Sequence, residues 1–218
     1  MCSGENPVDG LFVSVPNDGV VPAINECKLA GIPIIAVNSG SVQADNLDLQ
    51  EYVGQLESTT GFDAGEKMVA AGAKRLFCLN HNPGVTSLTQ RCDGFKTAVS
   101  KSGTAQFVAE VDVNATNQGE YIAAVEAAVG ESGAWTGVGI ILTGSIQAPL
   151  ALGLQLLAAH SNALIATFDT GQVIFNALQS GEYLFAINQQ PYFQGYLPIP
   201  LLTAKIQANR QLLNFFLH

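Results

Sequence analysis

The chain has 218 residues, 48% of them apolar, with 9 basic and 18 acidic side chains and a formal charge of -9. A chain this apolar and this poor in charge is not disordered, because disorder needs low hydrophobicity and high charge. Nine dispersed Lys and Arg on an acidic chain form no cationic surface for phosphates or anionic headgroups, which excludes nucleic acid and membrane surfaces as partners.

Taken in chain order, short apolar runs alternate with helical patterns. A strand is expected at 11–15, a helix at 20–30 and a strand at 32–37. A polar loop follows around Gln43 to Asp48, then a very short strand at 52–55. The alternation restarts with a helix at 60–71 and continues as strand 75–79, helix 87–101, strand 106–110, helix 118–129, strand 137–142, helix 148–160, strand 164–168 and helix 171–179. Continuous apolar strands such as Ile32-Pro33-Ile34-Ile35-Ala36-Val37 suit a parallel sheet covered by helices on both faces. The expected fold class is therefore α/β, doubly wound. The single interruption marks a lobe boundary, dividing the chain into a first lobe at 1–56, to which 190–218 returns, and a second lobe at 57–189.

Two long gaps carry no charge, Ser132 to Phe168 and Tyr183 to Ala204. In the first, Gly144, Ser145, Gln147, Pro149, Gln155, His160, Ser161 and Asn162 interrupt the stretch before about 20 apolar residues accumulate, so it reads as strand, helix, strand and no membrane insertion is expected. The segment beginning Met1-Cys2-Ser3-Gly4 has neither a basic n-region nor an apolar h-region. As written, the chain is expected in the cytoplasm. Cys2, Cys27, Cys78 and Cys92 lack Cys-x-x-Cys spacing, and Cys27 and Cys78 read as small buried apolar residues. A metal site from Cys78, His81 and Cys92 lacks a fourth ligand at a recognised spacing, so none is expected. Asn114-Ala115-Thr116 is a glycosylation sequon that matters only in a secreted chain.

Ligands of open parallel sheets bind beyond the carboxyl ends of the strands. The residues there are Ser14 to Asp18, Asn38-Ser39-Gly40, Asn80-His81-Asn82, Thr143-Gly144-Ser145, Asp169-Thr170-Gly171 and Asn188-Gln189-Gln190. Amides and hydroxyls donate and accept at once, which suits a ligand rich in hydroxyl groups. Turns and helix N-caps select the same residues for backbone reasons, so Asp169 also reads as an N-cap. Arg91 also reads as a solvated helix residue, and His81 as a satisfied loop histidine. Ser14, His81 and Asp169 are the residue types of a hydrolase triad, but no Gly-x-Ser-x-Gly elbow accompanies them. The chain has no Gly-x-Gly-x-x-Gly or Gly-Lys-Ser/Thr pattern for a nucleotide, and no cofactor is expected.

Several segments together resemble the type I periplasmic solute-binding proteins of the ribose and galactose class, the receptor subunits of sugar ABC importers. Asp9 to Ser14 and Ala30 to Ser39 look like that family's third and fourth strands. Gln90-Arg91-Cys92-Asp93-Gly94-Phe95-Lys96 resembles its Arg-x-x-Gly-Phe helix, and Ala166-Thr167-Phe168-Asp169 its Phe-Asp strand end. Phe185 to Tyr192 is similar to the late segment that returns to the first lobe. The resemblance implies a non-enzymatic binder of a small neutral sugar or polyol, two lobes closing by hinge motion, and an ABC permease as partner.

By the same resemblance Asn38 is a first-lobe ligand contact, Ser39 replaces the family's following Arg, Arg91 clamps the ligand, Asp169 accepts sugar hydroxyls and Gln189 is a hinge-proximal contact. Ser14, His81 and Gln147 complete the candidate site. The family's first β-α-β unit and final segment have no counterpart here, so the chain by itself is expected to bind ligand weakly or not at all, and micromolar binding of a pentose, hexose or polyol in isothermal titration overturns that. The alternatives are the effector-sensing domain of a transcription regulator, whose helix-turn-helix is absent from these residues, and an α/β enzyme acting on a small polar substrate.

Overall fold

Apolar runs flanked by Gly and by polar turns become parallel strands in the protein. In this computed structural model the structure describes residues 2–3, 5–49, 51–130, 135–151 and 162–216. The chain divides into two compact units, Met1–Gln55 with Gln190–His218, and Leu56–Gln189.

The first unit contains strands β1 (Leu11–Val13), β2 (Ile34–Asn38) and β3 (Tyr52–Gly54), all parallel in the order β1-β2-β3. Helix α1 (Val21–Leu29) follows a 3-10 turn at Asp18–Val20, whose entry is capped by Asn17 accepting from the Gly19 N–H at 2.9 Å. The segment expected as a polar loop is instead helix α2 (Ser41–Asn46). Its polar composition conceals one inward face: Ala44 and Leu47 join Val15, Ile24, Cys27, Ile34 and Ala36 in the core, while Gln43 is buried and donates to Asp18 at 3.1 Å. Gly40 ahead of α2 has φ 104°, and a Cβ there would lie 2.5 Å from that of Val15, so only glycine fits. Late in the chain, helices α7 (Pro191–Tyr196) and α8 (Pro198–Phe216) belong to this unit.

The second unit is built on β4 (Arg75–Asn80), β5 (Gln106–Asp112), β6 (Val138–Leu142), β7 (Leu164–Phe168) and β8 (Ala186–Ile187). All pairings are parallel, in the order β5-β4-β6-β7-β8. Its helices are α3 (Glu57–Ala70), α4 (Thr86–Ser102), α5 (Gln118–Val129) and α6 (Gln172–Gln179). The helix expected at 148–160 is helical over 148–151, and its remainder lies outside the described residues. Alternate strand residues serve opposite faces, as the two-residue period requires. Phe77, Leu79, Ile140 and Leu142 pack with Tyr121, Val125 and Val129 of α5. Leu76, Cys78, Ile141 and Phe168 pack with Met68 of α3 and Phe95 of α4. The expected doubly wound α/β sheet is therefore present.

Helices α3 and α4 approach through glycines. A Cβ on Gly94 would lie 2.0 Å from the Ser58 carbonyl oxygen, and one on Gly61 would lie 2.2 Å from that of Arg91. Any larger side chain would force the two helix backbones apart.

The cysteines correct the sequence reading. Cys2 is bonded to Cys27 and Cys78 to Cys92, with Cα–Cα separations of 4.9 and 5.6 Å. Cys78 is thus not an unpaired apolar filler, and its sulfur and that of Cys92 are committed to each other rather than to a metal. The cause is tertiary: α4 folds back over β4, so residues on different elements face each other at bridging distance. No helix among the described residues is long and apolar enough to cross a membrane.

Candidate functional site

In the second unit the chain leaves β4 for β5 on one side and returns to β6 on the other, which opens a crevice at the carboxyl ends of β4 and β6. His81 follows β4, Thr143 and Gly144 follow β6, Asp169 follows β7, and Gln189 ends the segment after β8. Glu57 opens α3 and Arg91 lies on α4. Topology therefore gathers residues scattered over more than a hundred positions.

Arg91 is at the centre and is only 3% exposed; it is not a solvated helix residue. Its Nε donates to Glu57 Oε2 at 2.7 Å and its Nη2 to Glu57 Oε1 at 3.0 Å. Nη2 also donates to Gln189 Oε1 at 2.6 Å, and Nη1 to the Thr143 carbonyl. The guanidinium carbon lies 4.4 Å from the centre of the Phe168 ring, a cation–π contact made strong by burial. Glu57 is 2% exposed. Burial raises its pKa above the ordinary 4.5, the Arg91 bonds and charge oppose the rise, and Asp169 adds to it.

Asp169 has φ 71°, a left-handed conformation that Asp tolerates better than most residues. Its Oδ2 accepts the Ser145 N–H at 2.8 Å and its Oδ1 accepts from Gln189 Nε2. It is not the cap of α6, whose N-cap position is Gly171 with no side-chain bond. Gln189 thus accepts from Arg91 and donates to Asp169, joining Glu57, Arg91, Gln189, Asp169 and the Ser145 amide in one line.

On the other side of Gly144, His81 is half-buried, with Nδ1 3.1 Å from the Thr143 hydroxyl and 3.0 Å from Gln147 Nε2. Gln147 is fully buried; its Nε2 also donates to the Leu79 carbonyl at 3.0 Å, and its Oε1 accepts from the Tyr121 hydroxyl at 3.1 Å. Burial lowers the His81 pKa below 6.5, and Arg91 lowers it further while Asp169 works against both. Burial also raises the Tyr121 pKa, so its phenol stays protonated. A Cβ on Gly144 would lie 2.8 Å from His81 Cε1, 3.5 Å from His81 Nε2 and 3.4 Å from Asp169 Oδ2. Gly144 is thus packed close against the His81 ring with Asp169 beside it, and any side chain there would force the imidazole to shift.

In the first unit, Asn38 sits at φ 62° at the end of β2. Its Nδ2 donates to Gln194 Oε1 at 3.1 Å, and its carbonyl accepts from the Tyr52 hydroxyl at 2.7 Å. Ser39 is buried, and its hydroxyl finds no partner among the described residues. Ser14 follows β1 and is half-buried. The second unit thus brings Arg91, Asp169, Gln189, His81 and Gln147 together, while Asn38, Ser39 and Ser14 belong to the first. Sequence reasoning missed Glu57 and Tyr121. Glu57 fell just outside the expected helix at 60–71, and Tyr121 is one apolar-face residue among several on α5. An acid at the start of a helix in a chain so poor in charge was the only available signal.

A family model described as a periplasmic binding protein domain matches residues 4–210. A carbohydrate transporter from Acidothermus cellulolyticus 11B, solved with myo-inositol, is 30% identical with a TM-score of 0.80; the match covers 92% of this chain and 68% of that one. A periplasmic sugar-binding protein of an ABC sugar transporter from Legionella pneumophila is 22% identical, with a TM-score of 0.78, covering 89% and 72%. An ABC transporter solute-binding protein from Burkholderia graminis C4D1M, solved with D-arabinose, is 20% identical, with a TM-score of 0.77, covering 92% and 70%. No curated protein matches the chain.

Proposed function

Since the chain belongs to the periplasmic binding protein domain family, we propose that it binds a small neutral sugar or polyol through the polar cluster of its second unit. The observation that carries this is the line of Glu57, Arg91, Gln189 and Asp169, which ends beside His81 at the topological switch point of the sheet. The cluster mixes one fixed cation, carboxylates, an amide and an imidazole. Such a set donates to and accepts from vicinal hydroxyls without needing a charged ligand. The two compact units are read as the two lobes of the family, and Asn38, Ser39 and Ser14 as contacts from the first. An ABC permease is the proposed protein partner.

The reading is of a binder and not an enzyme. His81 Nδ1 meets Gln147 and Thr143 instead of a carboxylate, whereas the Asp169 oxygens are engaged by Ser145 and Gln189. The orienting bond of a hydrolase triad is therefore replaced by other partners. Two disulfides support an oxidising compartment, in place of the cytoplasm expected from the sequence.

The test is titration of the ¹⁵N-labelled protein with millimolar myo-inositol, D-arabinose and a hexose panel. Saturable shifts at Asp169, Gln189 and the 143–145 turn are expected with at least one of them. Failure of every sugar and polyol to move these resonances refutes the proposal.

A further inference from the structure

The triplet Asn114-Ala115-Thr116 lies between β5 and α5, away from the polar cluster, and no step of the binding reading uses it. It is the only Asn-x-Ser/Thr triplet in the chain. Asn114 and Thr116 are both exposed, which an acceptor must be in the folded protein, because burial of either would leave no room for a bulky, hydrated group. Asp112, two residues ahead of Asn114, is exposed as well. The segment therefore reads acid-x-Asn-x-Thr, a form suited to transferases that demand an acid at that place as well as to those that do not.

The orientation of the Asn114 amide follows from neighbours with a single role. Its Oδ1 accepts the Thr116 backbone N–H, which only donates, at 3.0 Å. Its Nδ2 donates at 2.7 Å to Oε2 of Glu120, whose carboxylate only accepts. Glu120 also receives Asn117 Nδ2 at 3.1 Å, and the Asn117 side chain caps α5, so the turn is tied to the helix that follows. The second proton of Asn114 Nδ2 has no protein partner among the described residues. Thr116 adds a further bond, its hydroxyl donating to Asn114 Oδ1 at 2.7 Å. A turn by itself has no need of this pair. An Asp at position 114 would accept the same backbone N–H, and any residue but Pro at 116 would supply it.

We propose that Asn114 is an N-glycosylation site, modified by an oligosaccharyltransferase from a polyprenyl-diphosphate-linked oligosaccharide. In the transfer, Asn114 Nδ2 forms a bond to the anomeric carbon of the first sugar and gives up one proton. The bond from that carbon to the diphosphate oxygen breaks, and its electron pair leaves with the polyprenyl diphosphate. The remaining N–H still donates to Glu120, so the turn keeps its bonds and the glycan projects into solvent beyond the end of β5. The compartment supports the assignment. Two disulfides favour an oxidising environment, and a triplet of this kind is an acceptor only in chains exported to one. The modification needs that compartment and is independent of which ligand the cluster binds.

The experiment is mass spectrometry on the full chain recovered from the cells that make it, reduced and cleaved after glutamate. Cleavage after Glu110 and Glu120 isolates residues 111–120, in which Asn114 is the only acceptor. That peptide is expected to carry an oligosaccharide, and peptide-N-glycosidase should release it and leave a carboxylate where the Asn114 amide was. An unmodified peptide overturns the proposal. Asn114→Gln and Thr116→Ala, made in the same cells, should each lose the glycan completely, while Thr116→Ser keeps it. The substituted side chains are exposed, so the thermal melt of the unglycosylated chain should be unchanged and loss of the glycan is not a failure to fold. A glycan that persists in Asn114→Gln or in Thr116→Ala overturns the assignment to this acceptor.

Discussion

Replacing Glu57 by Leu leaves the Arg91 guanidinium, 3% exposed, without the two oxygens that receive its Nε and Nη2. Removing one partner of a buried pair costs about 3–5 kcal/mol, because the other charge stays buried and uncompensated. A separate count agrees: two hydrogen bonds to a charged group at roughly 1.5–3 kcal/mol each. For a unit of this size the loss lowers the melting temperature by on the order of 10–20 °C. The assay is urea and thermal unfolding followed by Trp135 fluorescence. Trp135 is the only tryptophan and is buried in the core of the second unit. Arg91→Met should cost less, since a lone buried Glu57 is able to take up a proton. The double variant removes both charges and should recover much of the loss, retaining about 1–3 kcal/mol from the acceptors stranded at Gln189 and Thr143. A double-mutant coupling below about 1 kcal/mol, the value for an exposed pair, would refute the claim that burial makes this pair matter.

Asp169→Asn keeps a residue suited to the left-handed backbone but removes the charge; affinity for myo-inositol should fall tenfold or more in the shift titration, as expected for a lost charge-assisted bond of about 1.5–3 kcal/mol. Gly144→Ala places a Cβ 2.8 Å from His81 Cε1, which should cost about 1–3 kcal/mol and displace the His81 ring signals; an unchanged melt and spectrum would contradict the geometry. Replacing Cys78 and Cys92 by Ala opens a loop of 14 residues and should lower the stability read at Trp135 by about 3 kcal/mol, with reductant producing a comparable drop in the unsubstituted protein. The pH dependence has two opposed parts. Between 4.5 and the raised pKa of Glu57 the native state holds the extra proton, so this contribution falls as pH rises through that window, and Glu57→Leu should abolish it. Below 6.5 the unfolded state protonates His81 first, so that contribution falls as pH drops toward the lowered native pKa, and His81→Gln should abolish it.

The parts legible in the sequence were those whose cause is local. Ile32 to Val37 reads as a strand buried on both faces because every residue in it is apolar, and it folds as the central strand of the first unit. Gly31 and Gly72 adopt positive φ where helices end ahead of strands, as their positions suggested. Residues just after strands were expected at one edge of the sheet, because the carboxyl ends of parallel strands lie together wherever such a sheet forms, and His81, Thr143 and Asp169 do follow β4, β6 and β7 there. Helix α2 was misread for the same local reason: a window of Gln, Asp and Asn looks like a loop until Ala44 and Leu47 find a core that lies elsewhere in the chain.

By itself, then, the sequence determined the α/β alternation, the parallel sheet and the family, through periodicity and motifs contained within single elements. Only the tertiary structure decided which side chains became partners. Glu57 meets Arg91 because glycines let α3 and α4 approach backbone to backbone, Cys78 meets Cys92 because α4 folds over β4, and Gln147 meets His81 because β4 and β6 are neighbours at the switch point. These pairings join residues on different elements, and their energies depend on burial and on the direction of individual lone pairs, neither of which is written in the spacing of residues along the chain.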